Sequence, residues 1–209
     1  ACTAIVYRLE DVDTDSEIRF RAVVNDHIGE WEPASSERLV EWNNDGLCSL
    51  VEVQGNLPFI KNAGARLVLH DTPGPNNARD PRHAETTHNL LRRGPYGMAL
   101  YVIDAEQLGA NDDHGLLGML KNAFDESAAS GHPKDIVFVL NKVDRVHPDD
   151  PLAAEAFVGH VRAYLSEHGF EHPTVIPLVA RAALLLRAAL RGDRLTRKET
   201  REVLQHLEE

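Results

Sequence analysis

The chain has 209 residues, 43% of them hydrophobic and 26% charged, and its formal net charge at pH 7 is −11. These values are typical of a folded domain with a sizeable core. The acidic balance argues against direct nucleic-acid binding and against adhesion of this segment to anionic lipid, since both need a basic face. Cys2 and Cys48 form neither a disulfide framework nor a metal-ligand spacing, and no signal-peptide pattern appears, so a cytoplasmic location is expected.

The first part of the chain predicts both strands and helices. A β-branched run over residues 3–9 predicts a strand. Residues 14–17 predict the cap of a helix that runs to about Trp31, and residues 33–36 predict the start of a second helix that continues to about Trp42. Both tryptophans are expected to be packing residues. Residues 47–53 predict the next strand, as a hairpin partner for the strand that follows.

The second part of the chain predicts a regular alternation of helices and strands. After a polar loop over residues 75–81, the expected elements are a helix over 83–93, a strand over 98–104, a helix over 112–130, a strand over 133–140, a helix from 151, a strand over 174–178, a helix from 179 and a final helix capped by Thr196 and Glu199. This order predicts an α/β fold, with a mainly parallel sheet and helices on both faces. Residues 1–192 are expected to form one domain, and residues 193–209 a C-terminal helix that leads to a further domain or bundle.

Two apolar runs end in polar motifs of the same design. Leu67–Leu69 runs through His70 into Asp71-Thr72-Pro73-Gly74, and Ile136–Leu140 runs into Asn141-Lys142-Val143-Asp144. Each run is predicted to be a buried parallel strand. Open α/β sheets bind ligands outside the carboxyl ends of their strands, so both motifs are expected at one edge of the sheet.

The residue types in these motifs suit a magnesium–nucleotide complex. Asp71 can hold a hydrated Mg²⁺ that bridges phosphate oxygens, and the backbone N–H of Gly74 can approach a γ-phosphate closely. Asp144 can accept two hydrogen bonds from guanine that adenine cannot supply. The amide of Asn141 can tie the loop together beside the base, and the stem of Lys142 can lie across the ring.

With these residues in place, the chain resembles the large GTPase domain of dynamin-like proteins, especially the bacterial branch. The resemblance covers residues 3–191, and its most specific parts are Leu67–Asn76, the strand that ends at Asp104 with Gln107-Leu108 after it, and Asn141–Asp144. It implies GTP hydrolysis with Mg²⁺, self-association through the GTPase domain, and a membrane or protein partner reached through other regions.

The resemblance also implies roles for single residues. Asp71, Thr72, Pro73 and Gly74 are expected to contact the nucleotide, with Gly74 at the γ-phosphate. Thr3 stands where the family has its switch threonine, which serves Mg²⁺ and the γ-phosphate, although a plain β-forming threonine is an equal alternative. Val179-Ala180-Arg181 stands where the family usually has Ser-Ala-x, so the backbone N–H of Ala180 can still reach guanine while the serine is lost.

One motif of the family has no counterpart in this sequence. The chain contains no GxxxxGK[S/T] phosphate loop and opens on Ala1 rather than Met. We therefore expect a fragment whose P-loop GTPase-like three-layer sandwich lacks its first strand, phosphate loop and first helix. Such a fragment is expected to bind GTP weakly or not at all and to hydrolyse it negligibly.

Other functions remain as alternatives. The main one is a degenerate, non-hydrolysing interaction module that kept the fold and lost the phosphate loop. An ATP-using relative is disfavoured by Asp144, and no GxSxG indicates a serine hydrolase. His168 and His172 are a poor metal pair because Gly169 and Pro173 interrupt a helix there, and His70 is expected in a core or supporting role. Asp104 is expected either to cap the following turn or to border the nucleotide site.

Overall fold

The structure is a computed structural model, which describes residues 5–12, 17–45, 47–56, 66–72, 87, 89–92, 94–108, 111–146 and 151–208. It divides into two compact units, residues 1–94 and 95–209. The described residues form one mixed sheet, one parallel sheet and several helices. This confirms a mixed α/β protein, whereas the expected single, mainly parallel sheet is replaced by two.

The first unit is built on the mixed sheet and one main helix. Its strand order is β3-β2-β5-β1-β6, and β4 also pairs with β2. Only β1 and β5 run parallel, and every other described pair is antiparallel. Thr87 and residues 89–92, within the predicted 83–93 helix, are helical. The elements are β1 (Val6–Asp11), β2 (Arg19–Val24), β3 (His27–Ile28), β4 (Glu32–Pro33), α1 (Ser36–Asp45), β5 (Cys48–Gly55) and β6 (Val68–Asp71).

The helix predicted to run to Trp31 is wrong, because this stretch is the β2–β3 hairpin. Phe20 and Ala22 are buried at alternating positions of β2, which is the period of a strand rather than of a helix. Asn25 and Asp26 follow with φ of 50° and 64°. Two consecutive residues with positive φ form the tight turn that matches the twist of a two-residue hairpin.

The strand that leads to Asp71 also differs from the prediction. β6 runs antiparallel to β1, and its side chains alternate between half-buried and exposed, so it is neither parallel nor fully buried. β5 pairs with β1 and β2 rather than with β6, so the predicted hairpin is absent from the described ladders. A run of only four residues carries no periodic signal that could have shown this.

The core of the first unit lies between the sheet and α1. Phe20 meets Trp42 edge to face with ring centroids 4.8 Å apart, and Val51 is fully buried beneath them. The packing role predicted for Trp42 is therefore confirmed. Trp31 lies under the Arg21 guanidinium, 4.6 Å from the ring centroid.

The opposite face of this sheet carries a network of charges. Glu52 accepts from Arg8 at 3.3 Å and from Arg21 at 2.6 Å, which links three neighbouring strands. Glu10 is buried and accepts from Arg66 at 2.7 Å, from Arg8 at 3.0 Å and from Gln54 at 3.3 Å. The hydrogen bond from Arg66 lowers the pKa of Glu10, burial opposes this, and Gln54 and Arg8 lower it further.

The second unit contains three parallel strands in the order β7-β8-β9, and each follows the prediction for its stretch of sequence. A 3-10 turn (Ala105–Gln107) follows β7. The strands and helices are β7 (Met98–Asp104), α2 (Asn111–Ala129), β8 (Asp135–Asn141), α3 (Val143–Val146), α4 (Pro151–Glu167), β9 (Val175–Leu178), α5 (Ala180–Arg191) and α6 (Arg197–Glu208). No described helix is both long enough and apolar enough to cross a bilayer.

One face of the parallel sheet is packed and the other is open. Phe138 and Leu140 of β8 are fully buried, α4 contacts β9, and Val158, Val161 and Leu165 of α4 are buried. Ala156 of the same helix is exposed, because the helical period places Val158 on the packed face instead. The other face leaves apolar side chains more than a third exposed, namely Met98, Leu100, Val102, Ile176 and Leu178.

The last two helices are capped at the loop between them. α5 ends at Gly192, which adopts the left-handed φ of 78°. Before α6, the Thr196 backbone N–H donates to the Glu199 carboxylate at 2.9 Å, and the Glu199 N–H donates back to the Thr196 hydroxyl at 3.3 Å. This confirms the predicted capping box. Arg181 and Glu202 join α5 to α6 at 2.6 Å.

We predict that Glu10→Gln lowers the free energy of unfolding by about 1 kcal/mol at pH 7, and that this loss shrinks as the pH falls. Because the folded pKa of Glu10 is depressed, its stabilisation is fully present above the unfolded value of about 4.3 and disappears as the pH falls through the folded pKa. Urea unfolding of both proteins between pH 7 and pH 3 measures the difference.

The control is Glu41→Gln, whose ion pair with Arg38 lies on the surface of α1, and which should change stability by less than about 0.5 kcal/mol. A Glu10→Gln loss of the same size at every pH would contradict the assignment of the ionised Glu10 carboxylate to this network.

Candidate functional site

The carboxyl ends of the three parallel strands bring polar side chains to one edge of the second unit. Asp104 at the end of β7 pairs in register with Asn141 at the end of β8, which in turn pairs with Leu178 at the end of β9. Lys142 follows β8 directly. Ala180 is the first residue of α5, and only Val179 separates it from the end of β9. In parallel sheets this edge is where ligands bind.

Asn141 joins β8 to the start of α5. Its side-chain oxygen accepts from the backbone N–H of Ala180 at 3.0 Å. Val179, at the cap position of α5, provides no side-chain cap, so Asn141 satisfies one of the donors that every helix start leaves unpaired. The sequence predicted that the Asn141 amide ties the loop together beside the base; the contact in the structure links this residue to the start of α5.

Lys142 turns the chain from β8 into α3. Its φ is 63°, a left-handed conformation that costs a non-glycine residue about 1–2 kcal/mol. Its carbonyl accepts from the Arg145 N–H at 3.0 Å, which closes the turn. The Lys142 ammonium lies 2.5 Å from Asp104 Oδ2 and 3.4 Å from Glu106 Oε2.

Asp104 serves two groups at once. Its Oδ1 accepts from the Glu106 N–H at 3.0 Å, so it caps the 3-10 turn, as one of the two predicted roles requires. Burial acts to raise the pKa of Asp104, but the hydrogen bonds from Lys142 and from the Glu106 backbone lower it below its usual value. The hydrogen bond to Asp104 raises the pKa of Lys142. Both side chains are therefore charged at neutral pH.

Asp144 lies in the first turn of α3, two residues after Lys142. Its side chain is 29% exposed, and Arg145 approaches it only to 3.7 Å. This carboxylate can be reached by a ligand and retains capacity to accept hydrogen bonds. Asn141, Lys142 and Ala180, with Asp144 two residues after Lys142 in the chain, therefore make up a cluster of candidate residues at the carboxyl edge of the second unit.

The residues predicted to contact metal and phosphate belong to the first unit. Asp71 is exposed at the end of β6, with Tyr7 as its partner in register, and Thr72 is half-buried. Thr3, Pro73 and Gly74 lie outside the described residues, as does the predicted polar loop at 75–81. Burial raises the pKa of Tyr7, and the charges of Cys48 and Asp71 add to this effect.

Asp71 is suited to Mg²⁺, because it is an exposed carboxylate and this ion binds through one or two carboxylates while it keeps several waters. Among the described side chains, no three His, Cys, Asp or Glu residues form a group that could hold a metal ion. His168 contacts the Tyr164 carbonyl at 2.8 Å through Nδ1. His70 is half-buried, and burial with the nearby charge of Arg8 lowers its pKa.

A comparison with models of protein families gives no match for the sequence. The dynamin-like resemblance therefore depends on the motif residues themselves. Sequence reasoning singled out Asn141, Lys142, Asp144 and Ala180 as candidates, but it missed the contact of Lys142 with Asp104 and Glu106. Asp104, at the end of the neighbouring parallel strand, could have indicated this contact, because parallel strands in register bring the residues at their ends together.

We predict that Asn141→Ala frees the Ala180 amide and speeds its hydrogen exchange about fivefold, since one hydrogen bond is lost. The matched variant Asn141→Asp keeps an acceptor at the same position and places a favourable charge at a helix start, so this amide should stay protected. Residue-resolved exchange by NMR measures both. Equal exchange in the wild type and Asn141→Ala would contradict the link between β8 and α5.

Proposed function

We propose that this chain is the GTP-binding part of a GTPase similar to the dynamin-like proteins, with Mg²⁺ as its cofactor. The observation that carries this proposal is the cluster of Asn141, Lys142, Asp144 and Ala180 at the carboxyl edge of a parallel sheet. A loop fixed on both sides beside an accessible carboxylate is what recognition of a flat, hydrogen-bonding base needs.

Asp144 supplies the choice of base in this proposal. Its two oxygens accept from the N1–H and the exocyclic amine of guanine, whereas adenine offers no such pair of donors. The resemblance assigns the Ala180 N–H to guanine; in the structure this N–H donates to the Asn141 side chain, so Ala180 borders the same loop. The stem of Lys142 covers the ring in this proposal. Leaving a carboxylate unpaired beside the wrong base gives strong discrimination, because the lost hydrogen bonds involve a charged group.

Asp71, Thr72, Pro73 and Gly74 serve metal and phosphate in this proposal. Asp71 would hold Mg²⁺, and the Gly74 N–H and the Thr3 hydroxyl would meet the γ-phosphate. When it is bound, Mg²⁺ supplies charge neutralisation at the phosphate oxygens. The resemblance also implies self-association and a membrane or protein partner, and both are part of this proposal.

Within this proposal, the α/β fold is a P-loop GTPase-like sandwich that lacks its first strand, phosphate loop and first helix. Two features of the second unit support it. β7 is paired with β8 alone among the described strands, so its other edge can accept a strand. The apolar face that carries Leu100, Val102 and Ile176 is open, with exposures of 59%, 61% and 48%, so it can accept a helix.

The alternative is a degenerate interaction module without hydrolysis. The two are separated by the sequence upstream of Ala1 in the complete gene. A GxxxxGK[S/T] motif about 20–40 residues before Ala1 supports a GTPase, and its absence there supports the degenerate module. Nucleotide competition with the complete gene product separates GTP from ATP as the ligand.

We predict that Asp144→Asn in the complete gene product weakens GTP binding about a hundredfold and strengthens binding of xanthosine triphosphate by at least about tenfold. An asparagine side chain accepts from N1–H and donates to an oxygen, and xanthine carries an oxygen where guanine has its amine. Competition titration with GTP and xanthosine triphosphate measures the change in preference between them.

The matched control is Asp135→Asn, which makes the same change at the opposite end of β8 and should leave both affinities unaltered. If Asp144→Asn reduced both affinities equally, Asp144 would be structural rather than the group that reads the base.

A further inference from the structure

Two carboxylates from the end of β7 hold the Lys142 ammonium. Asp104 Oδ2 lies 2.5 Å from Lys142 Nζ, and Glu106 Oε2 lies 3.4 Å from it. The Asp104 side chain is 27% exposed, that of Glu106 is 50% exposed and that of Lys142 is 45% exposed. The contact joins neighbouring strand ends that are 38 residues apart in the chain.

Exposed ion pairs usually contribute little, because ordering two flexible side chains offsets the attraction. Here much of that ordering is already present. The other oxygen of Asp104 is held by the Glu106 N–H at 3.0 Å, so the carboxylate is oriented before Lys142 reaches it. On the other side, the Lys142 backbone is confined by its left-handed turn and by the bond from the Arg145 N–H.

We propose that Asp104, assisted by Glu106, is a positioning residue for Lys142 and thereby orders the loop that reads the base. This inference rests on the proposed function for its link to guanine. The ion pair fixes the direction of the Lys142 stem, which is the part that covers the ring. Asn141 fixes the same loop from its other side through Ala180. The loop is thus anchored to both neighbouring strand ends.

Asp104→Asn is the variant that isolates this role. An asparagine keeps an oxygen that can cap the 3-10 turn, but it presents an amide instead of a charge to Lys142. Asp104→Glu keeps the charge on a longer side chain. Lys142→Met keeps the apolar stem and removes the ammonium. Asp125→Asn is the matched control, because Asp125 pairs with Lys121 on α2 at the same 2.5 Å and lies outside the cluster.

The first measurement is amide hydrogen exchange of the 209-residue chain. We expect Asp104→Asn and Lys142→Met each to speed exchange at residues 142–146 about threefold, and the double variant to add nothing further. Asp104→Glu should restore most of the protection, and Asp125→Asn should leave these residues unchanged. Unchanged exchange at 142–146 in both single variants, or additive effects in the double variant, overturns the proposal. Should Asp104→Asn fail to fold, Lys142→Met alone decides.

The second measurement separates this inference from the proposed function. In the complete gene product, Asp104→Asn should reduce the preference for GTP over ATP about threefold, whereas Asp125→Asn should not change it. If the wild type binds neither nucleotide, the proposed function fails while the exchange result still decides the positioning role. If the wild type prefers GTP and Asp104→Asn keeps the full preference, the positioning role in base reading is wrong.

Discussion

The parallel pairing of β7, β8 and β9 is the constraint on which the candidate site depends. Because the three strands run in register, Asp104, Asn141 and Leu178 end at one edge, and the residues that follow them are brought within hydrogen-bonding distance. The contacts of Lys142 with Asp104 and of Asn141 with Ala180 exist only because of this alignment. A shift of one residue in β8 would point Asn141 to the other face and break the link to α5.

Much of the second unit could be predicted from the sequence, and less of the first. In the second unit, long helical patterns and apolar strands alternate, so helices such as α2 and α4 and the strand before Asn141 were placed correctly. In the first unit, the capping pattern at residues 14–17 predicted a helix, although the alternation of Phe20 and Ala22 is that of a strand. The Asn25-Asp26 pair is typical of a turn, as the structure has it. The direction of β6 could not be predicted, because pairing direction is set by neighbours in space rather than by a four-residue run.

The candidate site also has one part that could be predicted from the sequence and one part that could not. The motif Asn141–Asp144 carries its chemistry within a short stretch, so its position after a strand was enough to predict the cluster. The partners of Lys142 come from another strand end and were visible only once the register was known. Under the proposed function, the ion pair between Asp104 and Lys142 would order the loop, and the accessible carboxylate of Asp144 would read the base. The phosphate and metal roles proposed for Asp71, Thr72 and Gly74 rest on the motif.

The central claim is that the carboxyl edge of the second unit recognises guanine. Amide chemical-shift mapping of the 209-residue chain with guanosine monophosphate and adenosine monophosphate, each at about 10 mM, tests this, because the two ligands lack the β- and γ-phosphates and differ from each other only in the base. We expect the amides of residues 141–146 and of Ala180 to shift with the guanine nucleotide and not with the adenine nucleotide. Equal shifts with both ligands, or none at these residues, would contradict it.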